Sequence, residues 1–118
     1  MAPRPVSDGG PPDPEVIQDA ASTFGLLSAT VRLELLWVLA AGENDVGTLA
    51  EQVGQTVATV SHHLGKLKLA GLVSARRAGR HQFYAVDDPH VVEMVRLAVA
   101  HHEELRHLSP AERRRREA

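Results

Sequence analysis

Residues 49–73 read LAEQVGQTVATVSHHLGKLKLAGLV, and no other stretch restricts the possible folds so tightly. A short helical run, TLAEQVG from residue 48, stops at Gly54, and a longer one, TVATVSHHLGKLKLAG from residue 56, stops at Gly71. Glycine just past the last periodic residue ends helices because it enters the left-handed conformation without a Cβ clash. Directly afterwards, LVSARRAGRHQFYAV predicts two strands joined by an RAGR turn.

Two short helices around a tight glycine turn, followed by a basic hairpin, are the layout of a winged helix-turn-helix. The flanking segments complete it. Asp13 before Pro14 is an N-cap with proline at the first helical position, opening the helix PEVIQDAASTFGLL. ATVRLELLWVLAAG gives a second helix, with Val31, Leu35, Val38 and Leu39 on one stripe and Gly42 as its stop. Asp88 before Pro89 repeats the cap-plus-proline signal and opens a fifth helix that runs to His107 or Leu108, where Ser109-Pro110 ends it. The expected fold is mainly α with a small β-hairpin wing (α+β), in the order helix, helix, helix, helix, hairpin, helix. Residues 1–13, rich in proline and glycine, read as a disordered arm. Residues 14–108 are expected to form the winged-helix domain, for DNA binding and dimerisation on the charge and spacing arguments below, and residues 109–118, with the run Arg113–Arg116, a charged and solvated C-terminal tail.

Composition agrees. The chain has 118 residues, enough for one domain, with 43% hydrophobic but only 3% aromatic residues, so its core is mostly Leu, Val and Ala and suits helices. The absence of cysteine removes disulfides and thiolate metal sites and is compatible with the cytosol. Thiol-demanding ions such as arsenite are poor ligands for such a chain. MAPRPVSDGG lacks the apolar region of a signal peptide, and the longest apolar run, LLWVLAA, is too short for a bilayer. A cytoplasmic location without a membrane partner is expected. No glycine-rich phosphate loop, HExxH or nucleophile paired with a base is present, so the chain does not read as an enzyme.

A net charge of −2 looks wrong for a DNA binder until it is mapped. Between Glu51 and Asp87 there is no acid, while Lys66, Lys68, Arg76, Arg77, Arg80 and three histidines fall there. Such asymmetry is the footprint of one face meeting phosphates. On the longer helix Gln55, Thr56, Thr59, Ser61 and His62, with Lys66 further on, are expected to approach double-stranded operator DNA, with Thr56 also the N-cap. Val57, Val60, Leu64 and Leu67 are expected to pack inward, and His63 to serve packing or a hydrogen bond. In the wing, Arg76, Arg77, Arg80 and His81 are expected to contact the backbone or a minor groove.

The fifth helix, DDPHVVEMVRLAVAHHEELRH, carries an acid and a histidine at each end. His90 and His101 are eleven residues apart, a rise of roughly 16 Å, whereas Zn–N bonds are about 2.0–2.1 Å. One helix therefore cannot chelate one ion with both. Eleven steps of ~100° nevertheless return to within about 20° of the starting azimuth, so both imidazoles share a face, with Met94, Leu97, Ala98, Leu105 and Leu108 forming an apolar seam. An antiparallel copy in a homodimer would bring Asp88 and His90 of one chain beside His101 and Glu104 of the other, twice by symmetry. Two nitrogens and two oxygens suit Zn(II), or Co(II) and Ni(II) with further ligands. Taken singly, each residue has an ordinary role: Asp88 as a cap, the others as surface side chains.

The chain resembles the ArsR/SmtB family of winged-helix metalloregulators over roughly residues 20–108, through LLSATVRLELL, TVSHHL, AGLV and RRAGRHQFYAV. The resemblance implies a zinc site on the fifth helices with the pattern Asp-x-His, ten residues, His-x-x-(His or Glu), met here by Asp88, His90, His101 and Glu104 without a gap. Nickel and cobalt sensors of that family add C-terminal histidines, for which His102 and His107 are candidates. The family's cysteine-based site has no counterpart. The resulting expectation is a repressor whose homodimer leaves its operator when zinc binds, with a hydrogen bond from His90 or His101 toward the junction of recognition helix and wing as a route for the signal. A non-metal regulator of the same fold and a histidine-rich zinc carrier are the alternatives.

Overall fold

The computed structural model describes residues 10–117. Its elements are α1 (Pro14–Leu27), α2 (Thr30–Ala40), β1 (Asn44–Asp45), α3 (Val46–Val53), α4 (Val57–Leu69), β2 (Ser74–Ala78), β3 (His81–Ala85), α5 (Pro89–Arg106) and α6 (Pro110–Glu117). Of the arm expected to be disordered, residues 1–9 lie outside the described residues. Asp13 does cap α1, its Oδ1 accepting the Glu15 N–H at 2.9 Å.

The helix-turn-helix is α3 and α4. Gly54 takes φ +67° and lets the Gln55 N–H reach back to the Ala50 carbonyl at 3.0 Å, closing α3 with paired rather than orphaned carbonyls. Thr56 caps α4, accepting the Thr59 N–H at 3.1 Å. After Gly71, at φ +77°, the chain enters β2. Strands β2 and β3 pair antiparallel with Arg76 opposite Phe83.

The sheet has a third strand that the sequence reading lacks. β1 pairs with β3, Asn44 opposite Tyr84 and Asp45 opposite Phe83. Two residues are too few for a period-two pattern, so no local signal marks them. α3 also begins two residues earlier than TLAEQVG suggests, because Val46 and Gly47 follow β1 straight into the helix.

The core gathers Leu35, Leu36 and Leu39 of α2, Leu49 and Ala50 of α3, Val60, Leu64 and Leu67 of α4, Tyr84 of β3 and Val91 and Val95 of α5. Within α2, Leu36 is fully buried while Val31 and Val38 are only half-buried, a departure from the single stripe. The cause is that α2 touches α1, α3, α4, α5 and β3, so its apolar surface wraps round the helix. Val57, expected to pack inward, is 54% exposed at the first position of α4, while Val60 in the same turn is fully buried. The charged tail is the larger surprise: residues 110–117 form α6, capped by Ser109. No single helix among the described residues is long and apolar enough to cross a membrane.

Leu64 is fully buried and Leu69, one turn on, is 92% exposed. Leu64→Ala is expected to lose about 2–5 kcal/mol of stability and Leu69→Ala less than about 0.5 kcal/mol, read from urea unfolding midpoints.

Candidate metal centre and nucleic-acid interface

On α4 the side chains of Gln55, Thr56, Ser61, His62 and Lys66 are exposed, and Thr59 is half-buried. Thr56 Oγ1 holds the Thr59 N–H and donates to Thr59 Oγ1 at 2.9 Å, so these two threonines build the helix start as well as facing outward. His63 turns the other way. Its Nδ1 lies 3.3 Å from an Arg32 guanidinium nitrogen on α2, and Arg32 Nε donates to the Leu26 carbonyl of α1 at 2.7 Å. One arginine thereby ties the recognition helix to the first two helices. Burial, reinforced by the charges of Arg32, His62 and Lys66, pushes the His63 imidazole below the ordinary histidine value.

The wing is acid-free along the chain but not in space. β1 delivers Glu43 and Asp45 beside it. Arg76 donates from Nε to Glu43 Oε2 at 2.7 Å and from Nη2 to Oε1, a two-pronged pairing with the guanidinium 4.8 Å from the Phe83 ring centre. The hydrogen bond to Arg76 holds the Glu43 carboxyl below its usual range and raises Arg76 in turn. His81 Nδ1 stands 3.7 Å from Asp45 Oδ2, and Asp45 is itself held low, chiefly by a hydrogen bond from Thr48. Arg77 and Arg80 are exposed and have no carboxylate partner among the described residues. Of the wing's cations, Arg76 is engaged by Glu43, while Arg77 Nε reaches only the Gly79 carbonyl of its own turn at 3.4 Å. Glu43 is 33 residues from Arg76 in sequence, beyond any local pattern.

α5 separates its donors as helix geometry demands. At its start, Asp88 Oδ1 accepts the His90 N–H at 2.9 Å and lies 3.1 Å from His90 Nδ1, which leaves Asp88 Oδ2 and His90 Nε2 open. At its end, the His101 and His102 rings meet edge-on with centres 5.1 Å apart, and Glu104 faces Arg116 at 3.8 Å. All these side chains are exposed. Among the described residues no three His, Asp or Glu side chains converge on one metal position within a protomer. Asp88 and His90 stand together at the start of α5, and His101 and Glu104 near its end.

Val91 and Val95 face the protomer's own core, and Arg96 donates to the Ala40 carbonyl at 3.1 Å, docking α5 on α2. The expected seam is less uniform than its spacing suggests. Met94 is half-buried against the core, Leu105 and Leu108 are half-buried, and Leu97 is 67% exposed. Leu97 sits between the two histidines on their own face. Among the described residues no hydrogen bond joins His90 or His101 to the junction of α4 and the wing, and the N–H and ring of His90 bond only to Asp88. The bond there comes from a neighbour: Ser74 Oγ of β2 donates to Asp87 Oδ2 at 2.7 Å, one residue before Asp88.

Residues 30–75 match the profile of the bacterial regulatory proteins of the arsR family. The HTH-type transcriptional regulator KmtR of Mycobacterium tuberculosis is 42% identical over 96 residues, covering 79% of this chain and 73% of that protein. The homodimeric winged helix-turn-helix domain of Mb0332 from Mycobacterium bovis superposes with TM-score 0.69 at 30% identity, over 92% of this chain and 94% of that one. The antimony-specific transcriptional repressor AntR superposes with TM-score 0.78 at 28% identity, over 92% and 99%.

The Arg32–His63 contact yields a pH signature. With the folded pKa of His63 below its unfolded value, near 6.5, the unfolded chain takes the proton first. The stabilisation is therefore complete above about pH 6.5 and is lost as pH falls through the folded value. Urea midpoints between about pH 5 and 8 are expected to fall more steeply on acidification for the native chain than for His63→Gln; parallel curves would refute the assignment.

Proposed function

The chain belongs to the ArsR family of bacterial regulatory proteins, and from that premise we propose that it represses transcription as a homodimer on operator DNA and is released by Zn(II) bound between two antiparallel α5 helices. Residues 14–108 are the DNA-binding and dimerisation domain. Asp88 and His90 of one protomer and His101 and Glu104 of the other hold the ion. The observation that carries this reading is the layout of α5: a histidine and a carboxylate at each end of an 18-residue helix, the two histidines on one face with the exposed Leu97 between them. A second copy running the other way satisfies both donors and leucine. That the Mb0332 domain is homodimeric and AntR is a repressor supports the assignment. Antimony is the wrong ion for a chain without cysteine.

Bound zinc would supply a fixed cross-link rather than chemistry. The chain's own residues convert that link into a change at the DNA. Asp88 is bonded to the chain next to Asp87, and Asp87 grips Ser74 at the root of the wing. α5 is locked to α2 through Val91, Val95 and Arg96, and α2 to α4 through Arg32 and His63. Gln55, Ser61, His62 and Lys66 of α4, with Thr56 and Thr59, read the groove, while Arg77, Arg80 and His81 meet the backbone and Arg76 does so on leaving Glu43. A tenfold loss of DNA affinity on metal binding corresponds to about 1.4 kcal/mol, and DNA weakens metal binding equally.

Nickel or cobalt is the second reading, favoured by the His102 ring stacked edge-on beside His101, an extra donor for a six-coordinate ion. Fluorescence anisotropy on operator DNA, with and without each ion, separates the two. In His101→Ala the metal-induced loss of DNA affinity, about tenfold in the native chain, is expected to disappear while metal-free binding stays. Release of DNA from that variant by zinc would place the ion elsewhere.

A further inference from the structure

We propose that α6 is a built-in competitor for the C-terminal half of the metal site, its Arg116 holding Glu104 until a divalent cation displaces it; this rests on the α5 zinc reading above. The segment is ordered by specific bonds. Ser109 Oγ accepts the Glu112 N–H at 3.2 Å and donates to Glu112 Oε1 at 3.1 Å, a capping box that starts the helix. Arg113 Nε donates to the Leu105 carbonyl at 3.0 Å, one of the last carbonyls of α5, where a cation also meets the favourable end of the helix dipole. That anchor keeps Arg113 and Arg116 of α6 beside the C-terminal end of α5. It sets Arg116 Nη2 3.8 Å from Glu104 Oε1.

Between α5 and α6 lies a cleft of about 650 Å³ lined by His101, His102, Leu105, Arg106, Arg113, Arg116 and Glu117. A divalent ion arriving at His101 and Glu104 therefore meets three guanidinium groups, offset by the single carboxylate of Glu117, and a Glu104 already paired with Arg116. Like-charge repulsion and competition for Glu104 act in the same direction, against the metal. The other half of the site has no such guard, since Asp88 is engaged only by the first turn of its own helix. Metal binding and undocking of α6 are then linked and reciprocal.

Zinc affinity is measured by chelator competition on the full chain, alongside Arg116→Ala and the double variant Arg113→Ala/Arg116→Ala. Exposed ion pairs are weak, so Arg116→Ala is expected to bind zinc roughly two- to fivefold more tightly, and the double variant more tightly still. In a Glu104→Gln background the gain from Arg116→Ala is expected to shrink, leaving only the part that comes from charge repulsion at His101. Amide exchange across residues 110–117 is expected to quicken when zinc is added to the native chain. His101→Ala, measured beside them, separates the two readings. If it loses zinc while the arginine variants match the native chain, the competitor role fails and the four-donor centre stands. If it binds zinc as the native chain does, the centre falls and the competitor role with it.

Discussion

The burial of α2 on nearly every side is the constraint from which the other positions follow. Leu35, Leu36 and Leu39 are removed from water, each contributing on the order of 1.5–3 kcal/mol, and they do so against different neighbours. α4 packs on one flank through Leu64 and Leu67, and α5 on another through Val91 and Val95. Neither the DNA-facing helix nor the donor-bearing helix shifts without repacking the same three leucines. Densely packed interiors yield in discrete steps rather than by smooth deformation, which suits a helix standing between an effector site and a recognition surface.

How far the molecule was legible in advance depended on the range of the forces involved. The caps at Asp13, Thr56 and Asp88 and the glycine stops at Gly54 and Gly71 act within a turn, and all were visible in the sequence. So was the separation of His90 from His101, because helical rise is independent of context. The third strand, the Arg76–Glu43 pairing and the Arg32–His63 contact join segments far apart in the chain, and no local spacing encodes them. α6 was missed for another reason: a run of arginines reads as solvated until Ser109 and Arg113 are seen to anchor it. The proposed intersubunit site of Asp88, His90, His101 and Glu104 rests on helical periodicity, to which the protomer adds the exposed Leu97 between the histidines.

Charge in the wing shows what a linear map omits. The stretch without acids between Glu51 and Asp87 suggests uniform attraction to phosphate. β1, by pairing with β3, sets Glu43 and Asp45 against that surface. The outcome is a graded face on which, among the described residues, Arg77 and Arg80 have no carboxylate partner, His81 is shadowed by Asp45 and Arg76 is engaged. A protein that must leave DNA on demand is better served by such moderation than by maximal attraction, since each phosphate contact steepens the dependence on salt.

α1 buries no residue fully within its own protomer, and Val16, Ile17 and Phe24 stand exposed. A fourteen-residue helix is marginal in water without a packing partner. In a dimer that covers this surface, folding of the amino-terminal segment and association become one equilibrium. Melting would then depend on how much protein is in the tube, and dilution alone would loosen the first helix before it touched the leucine core.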